Sequence, residues 1–192
     1  MTLLTSMLDG NQSISPGSTP TFAALKNTAN VGTAATGTSA VEYGDGYHHQ
    51  SVLTVSTTLP AIAGGANLAV GKLLYTLPAG AIIIHGVYMS LGITQTQGNI
   101  NADTPDVGIG TTIASGVVAL LSGTAAFENV LTGQTAANCT GTATVKTVNT
   151  PVVIASGDDH TLYFNVADGW AASGDAAAVL AGTVVVDWSF MA

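Results

Sequence analysis

From Tyr47 onward, apolar and polar residues alternate with a period of two over much of the chain. Side chains on a strand point to opposite faces in turn, so this alternation predicts strands buried on one side. In the longest run, 83–93, Ile83, His85, Val87, Met89, Leu91 and Ile93 fall on one face, with Ile84, Gly86, Tyr88, Ser90 and Gly92 opposite. Residues 183–190 set Val184, Val186, Trp188 and Phe190 against Thr183, Val185, Asp187 and Ser189, and 160–166 separate Leu162, Phe164 and Val166 from Thr161, Tyr163 and Asn165. Shorter candidates are 51–58, 70–77, 107–113, 143–148 and 152–155.

Turn-forming residues punctuate these runs at Pro60, Gly64-Gly65, Pro78-Ala-Gly80, Gly98-Asn99, Thr104-Pro105, Gly133, Asn149-Thr-Pro151, Ser156-Gly-Asp-Asp159 and Ser173-Gly-Asp175. About eight strands so spaced predict an all-β, antiparallel sandwich or barrel rather than strands alternating with long helices. Two stretches break the alternation. Residues 116–131 and 170–180 are expected to form short helices or loops, with a helical turn or two around Ala125-Ala-Phe-Glu-Asn129.

Residues 1–46 read differently. Segment 11–20 is rich in Ser, Pro and Gly, and 27–40 is nearly all Ala, Thr, Gly, Ser and Asn. Such a segment buries too little apolar surface to offset its ordering entropy, so 1–46 is expected to be an extended arm and 47–192 the folded body. Leu3, Leu4, Met7 and Leu8, with Phe22 and Leu25, are the apolar points by which an arm would grip a partner. Tyr43 and Tyr47 flank Gly44-Asp-Gly46 where the arm meets the body, and His48 follows.

Only 7% of the 192 residues are charged, against roughly 25% in an ordinary soluble protein. There is no Arg, and Lys26, Lys72 and Lys146 are the only strong bases beside 11 acidic residues, a net charge of -8. Neutralising phosphates takes clustered Lys and Arg, so direct nucleic-acid binding and a polybasic membrane contact are both disfavoured. No stretch approaches the roughly 20 apolar residues of a spanning helix. The first nine residues lack a secretory pattern, which predicts synthesis in a cytoplasm. Charged residues are depleted at the centres of protein interfaces, so the composition suits a subunit that neighbours cover.

Candidate chemistry is sparse. Cys139 is a lone cysteine expected to pack as a small apolar group, and Asn138-Cys-Thr140, like Asn11-Gln-Ser13, is a bare glycosylation pattern. His48 and His49 are adjacent, which on a strand sends them to opposite faces and argues against a shared metal. Asp103-Thr-Pro-Asp106 and Asp158-Asp159 lie in turns, where Asp caps its own backbone, and neither has the ligand spacing of an EF-hand. No nucleophile elbow, dinucleotide fingerprint or Walker lysine occurs, so no catalytic residue, cofactor or metal is expected. Trp188 belongs to an apolar strand face, whereas Trp170, after Asp168-Gly169, suits a core plug or an interface anchor.

The run Glu42-Tyr-Gly-Asp-Gly-Tyr-His-His49, the segment Gly71-Lys-Leu-Leu-Tyr-Thr-Leu-Pro-Ala-Gly80, and Leu162-Tyr-Phe-Asn-Val-Ala-Asp168 followed by Trp170 and Gly182-Thr-Val-Val-Val-Asp-Trp188 resemble head proteins of tailed bacteriophages. The resemblance, over 41–190, implies a capsid decoration (cement) protein with a jelly-roll-like body. Such a protein forms a homotrimer on the outside of the virion and clamps major capsid protein subunits. Its partner contacts would include Leu4, Leu8, Phe22, Leu25, Tyr43, Tyr47, His48 and Trp170. Other readings are a tail or fibre subunit, an outer-membrane barrel, and a carbohydrate-binding jelly roll using Trp170 with Asp168 and Asp175.

Overall fold

The computed structural model describes residues 30–63, 69–116, 120–123, 126–167, 169 and 174–191. These form an antiparallel β-sandwich of twelve strands: β1 (Thr33–Ala34), β2 (Thr38–Gly44), β3 (His48–Thr58), β4 (Ala69–Thr76), β5 (Ile82–Thr94), β6 (Asp106–Gly110), β7 (Ser115–Gly116), β8 (Leu131–Thr135), β9 (Thr140–Val148), β10 (Val152–Ile154), β11 (Thr161–Ala167) and β12 (Val179–Phe190). One sheet runs β2-β3-β12-β5 and then β9 and β10, which both pair with β5. The other runs β1-β4-β11-β6-β8, with β7 also on β4.

Setting aside the short β1 and β7 and the leading β2, and counting β9 with β10 as one broken strand, eight strands remain. Numbered along the chain, they lie in the order first, eighth, third, sixth in one sheet and second, seventh, fourth, fifth in the other. That interleaving is the jelly roll, two Greek keys wound together. Its consequence is that β12, the last strand, lies in the middle of its sheet, with β3 and β5 on either side over nearly its whole length.

The core between the sheets is built from the inward sides of these strands: Leu53 and Val55 of β3, Val184, Val186 and Trp188 of β12, Met89 and Leu91 of β5, and Leu74, Leu162, Phe164 and Val166 from the facing sheet, all buried. The alternation in 160–166 and 183–190 therefore maps directly onto buried and outward faces.

Three sequence expectations require correction. First, 83–93 is not one uninterrupted alternation. Asp187 pairs with Gly86 but Trp188 pairs with Ile84, so His85 is an extra residue, a β-bulge that reverses the phase. Ile82 and Ile84 point inward before it and Val87, Met89, Leu91 and Ile93 after it, while His85 is turned away from the core. Second, pairing begins well before residue 47: β1 joins β4, and β2 pairs with β3 over seven residues. Third, no helix forms among the described residues of 116–131; 126–130 are turns and bends.

That last stretch has a different task. The described residues between 111 and 130 lie against the outer face of the β4-β11-β6 sheet, where Ala69 and Ala167 meet Ala114, Leu121 and Phe127 in a second, small apolar cluster. Asn165 of β11, fully buried, fastens it: its Nδ2 donates to the carbonyls of Thr112 (2.9 Å) and Phe127 (2.8 Å), and its Oδ1 accepts from the Ala114 N–H (2.8 Å). A methyl group at Gly110 would overlap the backbone of Ala126 and Phe127, so the close approach requires glycine there. Asn165→Leu should leave two carbonyls and an N–H unpaired and cost about 3 kcal/mol. Amide exchange should rise selectively at Ala114 and its neighbours; uniform exchange across the sheet would contradict this fastening role.

Candidate functional site

The two outer faces differ. One is covered by described residues of the chain's own β6–β8 connection, Ala114, Leu121 and Phe127 among them; the other, the outside of the β2-β3-β12-β5-β9 sheet, is open among the described residues. Its composition follows from register. One row across the strands reads Val41, Val52, Val185, Tyr88, Thr147, and the next reads Ser39, Thr54, Thr183, Ser90, Val145. These ten residues carry no charge. Five strands at about 4.8 Å spacing make the face roughly 20 Å wide. Tyr88 (38% exposed) and Val145 (57%) stand out from it, and the valines between are half-buried.

The charged and aromatic groups gather at one end, beside the β2–β3 hairpin. Asp45 shapes the tip: its carboxylate accepts from the N–H groups of Tyr47 and His48 (both 2.8 Å), and those bonds, that of His48 foremost, lower its pKa. Tyr47 is left 73% exposed. His48 then reaches across to β12, where its Nε2 lies 2.9 Å from Asp187 Oδ1. The bulge brings His85 alongside, its ring stacked on that of His48 with centroids 5.4 Å apart, and its Nε2 lies 2.8 Å from Ser189 Oγ. Tyr43 occupies the outer row above Val41, opposite Gln50, which in turn faces Asp187. A shallow groove of about 240 Å³ opens beside this group, lined by His85, Tyr88, Thr147, Asn149, Val185 and Asp187 among others.

Serine, histidine and aspartate thus meet here, but not as a relay. The carboxylate pairs with His48, whereas the histidine facing the serine is His85, so the ring that would act as base is not oriented by the acid. Among the described residues no three His, Cys, Asp or Glu side chains are grouped to hold a metal. What the arrangement offers is contact: a flat, uncharged face with one polar, aromatic corner.

His49, next to His48, points the other way, fully buried and stacked on Trp188 at 4.0 Å. The expected opposition of the two imidazoles therefore holds. Tyr43, Tyr47 and His48 come together at the corner, while Leu4, Leu8, Phe22, Leu25 and Trp170 lie outside the described residues, as does Asp168. Asp175, the third member of the sugar-binding grouping, is buried and fully occupied: it accepts from the N–H groups of Thr96, Gln97 and Ala177 and from the Thr96 hydroxyl. Alternation along the sequence does not single out His85, Asp187 and Ser189, because their meeting depends on cross-strand register and on a bulge.

At the far end of the sandwich, Cys139 is buried, and its thiol pKa is pushed up to about 12 by desolvation and then by the charges of Asp103 and Asp175. It stays protonated and behaves as the small apolar group expected. Asp158 and Asp159 cap their own turns, accepting from the N–H groups of Ala155 and Thr161 respectively.

No known protein family matches this chain, and no curated protein matches it. Among solved structures it is similar to the arabinose-bound MgGH51 α-L-arabinofuranosidase, at 13% identity and a TM-score of 0.34. The match covers 84% of this chain and 24% of that one, so the chain spans about a quarter of the enzyme's length.

Proposed function

We propose that the protein is a non-enzymatic structural subunit of a phage particle, seated on the outside of the head, where it stabilises contacts between major capsid protein subunits. The observation that carries this reading is the open outer face of the β2-β3-β12-β5-β9 sheet: ten in-register residues without a charge, on a chain whose opposite sheet is covered by its own loop. Burying such a face costs no ion desolvation, and its β-branched and hydroxyl side chains suit close, shape-matched packing. A jelly roll leaves few free strand edges, which suits a subunit that must associate through faces and in fixed numbers. The trimer implied by the phage resemblance belongs to the same proposal.

The test is copurification with assembled particles on a density gradient. The unmodified protein should travel with the heads, and immunogold label should lie over the shell; label on the tail would favour a tail or fibre subunit instead. Val185→Asp and Tyr88→Asp each place a charge in the centre of the face, where docking would bury it unpaired. Recovery with particles should fall at least about tenfold while the melting temperature changes by no more than a few degrees. Free protein that never sediments with particles, or a Val185→Asp protein that binds as well as the parent, would overturn the proposal.

A further inference from the structure

Next to the Val41, Val52, Val185, Tyr88 row, the outer face continues in register as Tyr43, Gln50, Asp187 and Gly86. Glycine leaves the place beside Asp187 without a side chain, and the groove of about 240 Å³ opens there. A methyl group at Gly86 would come within 2.9 Å of Asn149 Oδ1 and 3.2 Å of the Val148 carbonyl oxygen. The Asp187 carboxylate borders the same space. His48 engages only its Oδ1, and the Asp187 side chain is 43% exposed. A carboxylate, an amide oxygen and a backbone carbonyl thus surround one position that lacks a side chain, with Tyr88 and Val185 as the wall toward the centre of the face.

A cluster of acceptors is answered by a donor. The chain cannot supply a guanidinium, because it has no Arg. Of its lysines, Lys72 belongs to the other sheet, and Lys146 sits opposite the buried Met89, on the core side of β9. The groove is smaller than the roughly 300–1,000 Å³ of pockets that take small molecules, and its size suits a single side chain. Arginine matches it best: its planar fork of five donors can meet a carboxylate and an amide oxygen together, and it lies well against an aromatic ring such as Tyr88. Docking supplies the need for a cation. Asp187 is two residues from Val185 on β12, about 7 Å along the strand, so a partner that covers Val185 covers Asp187 too. A carboxylate covered without a counter-charge opposes binding, whereas one met by arginine anchors it.

We propose that the groove beside Gly86 is a socket for an arginine of the protein partner, received by Asp187 and Asn149. The inference rests on the docking reading of the same face and adds to it the chemistry the partner must carry, one guanidinium at the edge of an otherwise uncharged contact.

The full chain is titrated onto heads that lack it, the heads being untreated, blocked at arginine with phenylglyoxal, or acetylated at lysine. On untreated heads Asp187→Asn should raise the half-saturating concentration at least about tenfold. Its melting temperature should stay within a few degrees of the parent's, because its ion pair with His48 is partly exposed. Gly86→Ala, at a residue whose backbone is not left-handed, fills the socket with a methyl group and should weaken binding by a similar factor. Asp106→Asn, on the other sheet and bonded to Thr135, should bind as the parent does. Blocking arginine should weaken the parent to the level of Asp187→Asn and weaken that variant no further, the non-additivity that marks a direct pair. Acetylating lysine should leave the gap between the two proteins unchanged. Asp187→Asn binding equal to the parent's, or arginine blocking that weakens both proteins by the same factor, would overturn the socket; with Val185→Asp still failing to bind, the docking reading would stand. A parent protein that binds no heads would overturn both.

Discussion

Trp188→Ala should lower the unfolding free energy by about 4–5 kcal/mol, the upper end for loss of a core aromatic. Trp188 is fully buried in the middle strand of its sheet, stacked on His49 and in edge contact with Phe190 at 5.4 Å. It also begins a chain of hydrogen bonds that crosses the sandwich. Its Nε1 donates to Ser51 Oγ (2.8 Å), Ser51 to the Tyr75 hydroxyl (3.4 Å), and Tyr75 to Glu42. Trp188 and Ser51 belong to one sheet and Tyr75 to the other, and Glu42 lies on β2, so the chain fastens an outer strand to the opposite sheet. Burial, and then the neighbouring Glu42, raise the Tyr75 pKa, so the phenol remains a donor well into alkaline solution. Truncation to Ala removes both the ring and the first link. Trp188→Phe keeps most of the ring and loses only the donor, at about 1–3 kcal/mol. Denaturant unfolding of the two variants measures both; equal losses below about 1 kcal/mol would show that neither packing nor the polar chain matters.

Asp175→Asn should destabilise by about 2–4 kcal/mol at neutral pH and by much less in strong acid. Burial alone would raise the pKa of this carboxyl, but the N–H groups of Ala177, Gln97 and Thr96 and the Thr96 hydroxyl outweigh it, and the net shift is downward. A carboxyl with a depressed folded-state pKa stabilises the fold above its unfolded value, near 3.9, and that contribution disappears as pH falls through the folded value. The parent should therefore lose stability below about pH 4, and the Asn variant, which has no charge to lose, should show a flatter profile there. Urea unfolding at pH 7 and pH 2.5 reads the difference. A deficit of the same size at both would mean that shape, not charge, holds the 95–97 loop to the β12 approach.

How far the sequence reveals the fold depends on which side of each strand is large. β11 and β12 are legible because their inward residues are Leu, Phe, Val and Trp and their outward ones are Thr, Asn, Asp and Ser, with few exceptions. β2 is hidden because its pattern is inverted. Thr38, Ala40 and Glu42 face inward, with Glu42 held by Tyr75, while Val41 and Tyr43 lie on the outer face. A segment so built reads as low complexity and is indistinguishable in pattern from the arm before it. β8 is short and carries Thr, Gly and Gln after Leu131, too little to signal a strand. Of the proposed docking surface, the lack of charge is legible in composition, and Tyr43, Tyr47 and His48 stand out at the junction. Which residues share a row with Tyr88, and that His85 and Ser189 join His48, depends on pairing between strands far apart in sequence.

The bulge in β5 bears on how that corner can vary between related chains. Around it Trp188 pairs with Ile84 and Asp187 with Gly86, consecutive partners on one strand for residues that skip one on the other. Removing His85 would leave Ile84 joined to Gly86 and the ladder uninterrupted, with Ile82 and Ile84 still inward and the whole run from Val87 still in phase. The residue is thus an insertion the sheet does not need for its own pairing. Exchanging or deleting it would leave the inward faces of β5 as they are, so the corner beside His48 can be rebuilt at this one position without disturbing the core.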